Sequence, residues 1–260
     1  MMERTLYLRE HPGLRVSRDG PSLWVEQRGV AGRRVPVRLI RRVLIAGNIA
    51  MDTGSLTAFA ERGVPVTLLN REGRPVATVV GCTGGLVACR AEQAAALEDP
   101  VTRDRVSAWL RAWERGRRLV LVARLDSVTA GRWRREGLRA MDYEAWVARQ
   151  ARLRGSSHRR RGFFQAFLHT LVLEHISEAG WDPHLGVHHR GQRLGLVRDC
   201  VAALQADADL VWVESGGIES GLSDGAISPA LAAHLESHRP RLATLMRRLL
   251  DQYEGVIRGS

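Results

Sequence analysis

The apolar spacing of this chain changes once, near residue 90, and that change governs what the chain can fold into. Before it, short apolar runs alternate with turn residues. TLYL (5–8), LRVSR (14–18), SLWVEQ (22–27) and VPVRL (35–39) are separated by Gly13, Asp19-Gly20 and Gly29 to Gly32, the pattern of strands joined by turns. RRVLIAG runs apolar into Gly47 without clear alternation, which predicts a strand buried on more than one face. Residues 52–63 predict a short helix with a polar start at Asp52 and a stop at Gly63. VPVTLLN (64–70) predicts a further strand, residues 71–74 a turn, and residues 76–87 a hairpin-like segment.

Beyond Arg90 the apolar residues recur at helical spacing. VSAWLRAWERGRRLVLVARL, DYEAWVARQARL, FFQAFLHTLVLEHISEAG, RLGLVRDCVAALQ and ALAAHLESHRPRLATLMRRLLDQY are rich in Leu, Ala, Arg and Glu, which helices favour. Breaks fall at Gly155-Ser-Ser, Gly180 to Pro183, Gly191 and the glycine-rich stretch 216–225. The expected fold class is α+β, with a strand-rich domain over residues 1–88 and an all-helical domain over 89–260. A chain of 260 residues suits two such domains, and it shows no internal repeat.

Charge narrows the partner class. The formal net charge is +11, and every one of the 39 Lys/Arg positions is arginine. A guanidinium stays charged at any accessible pH and grips phosphate as a two-pronged fork. Clusters at Arg33-Arg34, Arg41-Arg42, Arg115 to Arg118, Arg132 to Arg135 and Arg152 to Arg161 make nucleic acid the first partner to consider. Charge alone does not separate DNA from RNA or from an acidic protein. No apolar run reaches the roughly 18 residues of a membrane helix. MMERTLYLRE carries charges where a signal peptide needs apolar residues, so a cytoplasmic location with no membrane partner is expected. Cys82, Cys89 and Cys200 are odd in number and form no CxxC pair, which favours reduced thiols that act as packing residues.

Three segments of the helical half hold groups capable of chemistry. Glu136 stands among arginines in RREGLRAMDY. His188 and His189 close GWDPHLGVHH, and Asp199 follows ten residues after His189. Glutamate, histidine and aspartate together form a mixed nitrogen–oxygen donor set suited to Mg or Mn. Such an ion polarises phosphoryl oxygens and helps generate an attacking oxyanion. Each of the three residues also has an ordinary structural reading: a surface ion pair, a solvated turn, the wet face of a helix.

Several motifs, taken in order, resemble the CRISPR-associated integrase family Cas1. AGNIAMDTGSLTAFAERGVPVTLLNREGRPVATVVG is similar to the family's strand–helix–strand block, with Gly47-Asn48, the Gly63 to Val66 strand start and the turn glycine Gly73. Arg90 and Gln93 resemble its Arg-x-x-Gln at the domain junction. Glu136-Gly137 with Tyr143 resembles its EG…Y segment. Gly180 to His189 resembles GxDPxLGxxH, and Asp199 falls on the first acid of D-x-x-E/D. The resemblance spans nearly the whole chain. It implies metal ligation and catalysis by Glu136, His189 and Asp199 with Mg or Mn, and phosphate contacts from Arg132, Arg134, Arg135, Arg139, Arg159, Arg160 and Arg161. It also implies a homodimer (or a heteromer with an active paralogue) joined by residues 1–88, a Cas2 partner, and a role in antiviral defence. The implied substrates are double-stranded prespacer DNA with free 3′ ends and the CRISPR leader-repeat.

The chain departs from the family pattern in one region. The second acid of D-x-x-E/D, a direct ligand in the family, aligns with Ala202. Downstream family arginines align with Gln205 and Leu210, the asparagine opening the histidine-side helix aligns with His158, and the carboxy-terminal helical region is short. A methyl group at 202 removes a charge and a coordination position. Asp199 lies one helical turn away and could substitute. Two readings follow: an integrase subunit, or a catalytically inactive architectural DNA-binding subunit beside an intact paralogue. A general arginine-rich RNA binder is a third. The ion-centred reading requires that the Glu136 carboxyl and the His189 imidazole face one hollow.

Overall fold

The computed structural model describes residues 4–70, 73–81, 89–157, 160–218 and 228–259. Strands occupy the first part: β1 Arg4–Arg9, β2 Arg15–Asp19, β3 Ser22–Gln27, β4 Val30–Pro36, β5 Ile40–Ala46, β6 Ala50–Met51, β7 Val66–Leu69 and β8 Pro75–Val79, with helix α1 Thr53–Ala60 among them. From there on every described α-helix or strand is a helix: α2 Arg90–Glu98, α3 Pro100–Leu125, α4 Ser127–Glu136, α5 Ala140–Leu153, α6 Arg161–Glu178, α7 Gly195–Glu214 and α8 Pro229–Arg258.

The strands form two four-stranded sheets, in the orders β1-β5-β7-β8 and β4-β3-β2-β6. In the first, β5 pairs in parallel with both β1 and β7. A strand with parallel neighbours on both sides is normally covered on both faces, and β5 is. Val43 and Ile45 join the core shared with Val16, Leu23 and Phe59, whereas Leu44 and Ala46 join the core shared with Phe163, Phe164 and Phe167 of α6. This sheet is therefore a middle layer, with the second sheet and α1 on one side and the helices on the other.

One strand differs from its sequence expectation. The structure has β4 over Val30–Pro36, followed by a 3-10 turn at Val37–Leu39, where VPVRL (35–39) had been expected to be the strand. Gly32 explains the shift. A Cβ there would sit 2.2 Å from the Trp24 ring, so the glycine admits the indole across the ladder and belongs to the strand, not to the turn. Pro36 has φ −63° and no N–H, and it ends the ladder.

Aspartates start three helices: Asp52, Asp99 and Asp126 each accept hydrogen bonds from first-turn N–H groups of α1, α3 and α4. Helices α6 and α7 are buried on most faces and form the centre of the helical part. No described helix is long and apolar enough to cross a membrane. Cys89 and Cys200 are free thiols, and Cys82 lies outside the described residues.

Candidate functional site

The loop between α6 and α7 is built by two buried polar side chains. Gln93 of α2, fully buried, donates to the carbonyls of Asp182 and Leu185 and accepts from the Asp182 N–H. Asp199, 2% exposed on α7, holds the far end of the loop. Its Oδ2 accepts from the N–H groups of Val187 (2.6 Å) and His188 (3.2 Å), and its Oδ1 lies 2.6 Å from His189 Nδ1. Between these clamps Gly186 and Gly195 touch: a Cβ on Gly186 would fall 2.4 Å from the Gly195 carbonyl carbon. Only glycine allows that approach, and it brings His189 back onto α7.

His189 lines a hollow of about 410 Å³ together with Glu114, Arg118, Glu144, Arg161, Gln165, His169, Arg198, Val201, Ala202 and Gln205. Its carboxylates are engaged. Glu114 pairs with Arg118, and Glu144 accepts from Arg161 Nη1 at 2.6 Å. Behind the wall, fully buried Asp209 accepts from Arg161 Nε (2.8 Å) and Nη2 (2.9 Å), from Gln205 (2.9 Å) and from the Tyr143 hydroxyl (3.0 Å). Burial raises the Asp209 pKa above the usual carboxylate value, against the opposing pull of Arg161. Burial, followed by the charge and hydrogen bond of Asp209, likewise holds the Tyr143 hydroxyl well above its ordinary value. Burial, with Arg198 nearby, lowers the His169 pKa.

Glu136 is elsewhere. It is exposed at the end of α4, where Gly137 (φ 94°) caps the helix. It lines a separate hollow of about 500 Å³ with Arg132, Trp133, Gly137, Arg139, Asp142, Ala145, Trp146 and Arg149. The two hollows share no described lining residue. Asp142, Ala145, Trp146 and Arg149 of α5 line the Glu136 hollow, and Glu144 lines the His189 hollow from the opposite face of the same helix. Among the described residues, Glu136 and His189, which the ion-centred reading required in one hollow, line different ones.

Hard cations such as Mg and Mn need several free anionic oxygens. In the His189 hollow both glutamates are bonded to arginine, Asp199 faces the loop, and Ala202 contributes no donor. Among the described residues no group of three His, Cys, Asp or Glu side chains is placed to hold a metal ion. The residues as arranged do not fit that cofactor.

The arginines divide by exposure. Arg132, Arg134, Arg135 and Arg139 are exposed, and Arg132 and Arg139 flank Glu136. Arg160 is 6% exposed and Arg161 is clamped between Glu144 and Asp209, so neither stands on the open surface as Arg132, Arg134, Arg135 and Arg139 do. Arg159 and His158 lie outside the described residues. Sequence reasoning missed Glu114, Arg118, Glu144, His169 and Arg198. Asp209, an acid inside the apolar stretch of α7, was the available signal, because a buried carboxylate requires a cationic partner, here Arg161, which in turn holds Glu144.

Comparison with known proteins adds three kinds of likeness. A family model described as CRISPR associated protein Cas1 matches residues 6–123. The CRISPR-associated endonuclease Cas1 2 of Rhodospirillum rubrum is 37% identical over 91 residues, which span 35% of this chain and 26% of that protein. A Cas1 protein from Thermotoga maritima has the same fold at TM-score 0.73 and 17% identity, over 99% of this chain and 98% of that one. A TtCas1–DNA complex matches at TM-score 0.65 and 18% identity, over 99% and 92% of the two chains. A Cas6-RT-Cas1–Cas2 complex matches at TM-score 0.63 and 12% identity, over 95% of this chain and 35% of that one.

Proposed function

We propose that this chain is a member of the Cas1 family, a reading supported by the family-model match over residues 6–123 and by the shared fold, and that it serves CRISPR spacer acquisition as a DNA-binding, architectural subunit rather than as the subunit that joins strands. The observation that carries this reading is the separation of Glu136 from His189, with Ala202 in the wall of the His189 hollow. Strand transfer in the family depends on an ion held between such groups, and here they open on different faces of α5. DNA binding needs no such convergence. Exposed Arg132, Arg134, Arg135 and Arg139 on and just after α4 form a cationic edge that can neutralise phosphates without reading sequence.

Duplex prespacer DNA and the CRISPR repeat are the proposed substrates, and Cas2 and a second Cas1-type subunit the proposed partners. Relatives of this fold have been seen with DNA and with Cas2. Residues 1–88 are proposed as the dimerising part and residues 89–260 as the part that holds DNA, within the cell.

The test is a strand-transfer assay with Mn, a duplex carrying free 3′ hydroxyls, a CRISPR repeat target and Cas2. Purified protein should bind the duplex in EDTA and leave the target unjoined, whereas an intact Cas1 supplied in the same reaction should join it. Joining by this protein alone, abolished in Glu136→Ala, would restore the integrase reading with Glu136, His189 and Asp199 as its ligands.

A further inference from the structure

Helix α8 carries Pro240 in its interior, and the halves on either side belong to different cores. Leu231 and Leu235 are buried in one cluster with Phe164 of α6 and Val211 of α7, and Leu242 is the last residue of α8 to join it. Met246, Leu249 and Tyr253 are buried in another, with Leu110 of α3 and Leu204 of α7. Pro240 has no N–H to give the Glu236 carbonyl, and its ring crowds the preceding turn. Ser237 Oγ donates to the His234 carbonyl at 2.7 Å and Thr244 Oγ1 to the Pro240 carbonyl at 2.9 Å, side-chain bonds of the kind that bend helices. Space is open on two sides of this point. Hollows of about 510 and 560 Å³ are both lined by Pro240 and Thr244, one toward α6 and the other toward α3 and α7.

The half before the proline is fastened by contacts that centre on two imidazoles. His234 Nε2 donates to the Val211 carbonyl of α7 at 3.0 Å, and its ring stands edge-on to Phe164. One turn on, the His238 ring packs against that of His234 with centroids 4.7 Å apart, so two positive rings would repel at contact. The charged groups facing this pair are Glu214 of α7, 3.9 Å from His238 Nε2, then Arg124 of α3, which pairs with Glu214, and Arg241 of α8. Burial first, and then His234, holds the His238 pKa below its usual value; Arg241 and Arg124 act in the same direction and Glu214 opposes them. On the strand side the Tyr7 hydroxyl of β1 donates to Glu236 at 3.1 Å, and Arg239 pairs with Glu236 along the helix.

We propose that the amino-terminal half of α8 is a proton-released strap, closed onto α7 and β1 at neutral pH and opening about Pro240 when His234 and His238 take up protons. A released segment binds protons at the ordinary imidazole value of 6.5, whereas the closed pair resists them. The closed form therefore keeps its full stability above that value, and opening is favoured as pH falls below it. Burial of Leu231 and Leu235 keeps the open form a minor species even in acid, so the readout is local exchange and not unfolding. The ion pair of Arg42 with Glu174 of α6 lies outside the moving half.

Hydrogen exchange followed by mass spectrometry on the full chain tests this, at about pH 7.5 and about pH 5.5 with intrinsic rates divided out. In the parent, opening over residues 230–239 should rise about tenfold in acid while residues 243–257 stay unchanged. The double variant His234→Gln, His238→Gln should lose the acid response. Glu214→Gln removes the carboxylate that favours a charged His238 and should steepen the response; it decides the matter if the double variant does not fold. Pro240→Ala restores the missing helical bond and should shrink the response, because the two halves then open only together. An acid response of equal size in both halves, one that survives in the double variant, or one that Glu214→Gln flattens would each overturn the proposal. A response unchanged in Pro240→Ala would overturn the pivot.

Discussion

Both oxygens of Asp199 are engaged within the protein, one on the His189 ring and the other on two loop N–H groups. Its first duty is thus to fold the segment that carries His189. Asp199→Ala leaves those N–H groups without an acceptor, and the loss should be about 1–3 kcal/mol. His189→Ala removes a ring that is 32% exposed and should cost less than half as much. Urea unfolding in EDTA measures both, and an Asp199→Ala protein as stable as its parent would refute the structural role. The sequence made Asp199, His189 and Ala202 readable as a group, because motif spacing along one loop and one helix is local information. It could not reveal that Glu144, Arg118 and Glu114 would share their hollow while Glu136 would not. Those residues come from α3 and α5, and which face of a helix looks where is decided by packing between elements, such as Arg118 of α3 over Tyr143 of α5 and Arg161 of α6 over Trp212 of α7, contacts that lie well beyond the reach of local spacing.

Helix starts carry their own titration. Asp126 caps α4, and its pKa is lowered first by the hydrogen bond from the Thr129 hydroxyl and then by that from the Thr129 N–H. A carboxylate depressed in the folded state contributes stability that is fully present above its unfolded value, 3.8, and is lost as pH falls through the folded value. Asp126→Ala should therefore cost about 1 kcal/mol at neutral pH. The gap between parent and variant should close in acid, and urea midpoints followed from neutral pH down to about pH 2 would show it. A gap that stays constant would mean that the cap acts through shape and not through charge. Elements of this kind are the most readable features of the chain: α1 was expected from Asp52 to Gly63 and runs Thr53–Ala60 with Asp52 as its cap. Strand β4 was less readable, since Gly32 looks like a turn residue until Trp24 is known to lie across it.

At the scale of the whole molecule, the arginine excess and the layered core make separate demands. If exposed arginines carry DNA binding, log affinity should fall linearly with log salt, by about 0.9 per neutralised phosphate. A flat response in an anisotropy titration would remove that surface as the main contact. The layers lead to a different expectation. The change of texture near residue 90 revealed a strand part and a helical part, but nothing in the spacing showed that β5 would be buried between them. Arg42 of β5, 1% exposed, reaches into the helical side. Its Nε and Nη2 donate to Glu174 of α6 at 2.8 and 2.5 Å, and Glu174 is itself 7% exposed. At the other end of α6 the backbones meet at Gly73 and Gly162, where a Cβ on Gly162 would fall 2.7 Å from the Gly73 carbonyl oxygen. A joint built from a buried ion pair and a backbone contact leaves little room for the two parts to move or to unfold independently. Removing one partner strands the other charge in the interior, so Glu174→Ala should destabilise the protein by about 3–5 kcal/mol, whereas replacing both residues with apolar side chains of similar volume should be close to neutral. Tryptophan fluorescence senses mainly the helical part, because six of the seven tryptophans lie beyond residue 100, and Trp24 alone reports from the strands. With Trp24 replaced by phenylalanine, urea unfolding followed by fluorescence and by far-ultraviolet circular dichroism should give one coincident transition in the Glu174→Ala background as in the parent, shifted to lower denaturant. Two separated transitions would show that the middle sheet belongs to the strand part alone and that the ion pair joins domains which fold on their own.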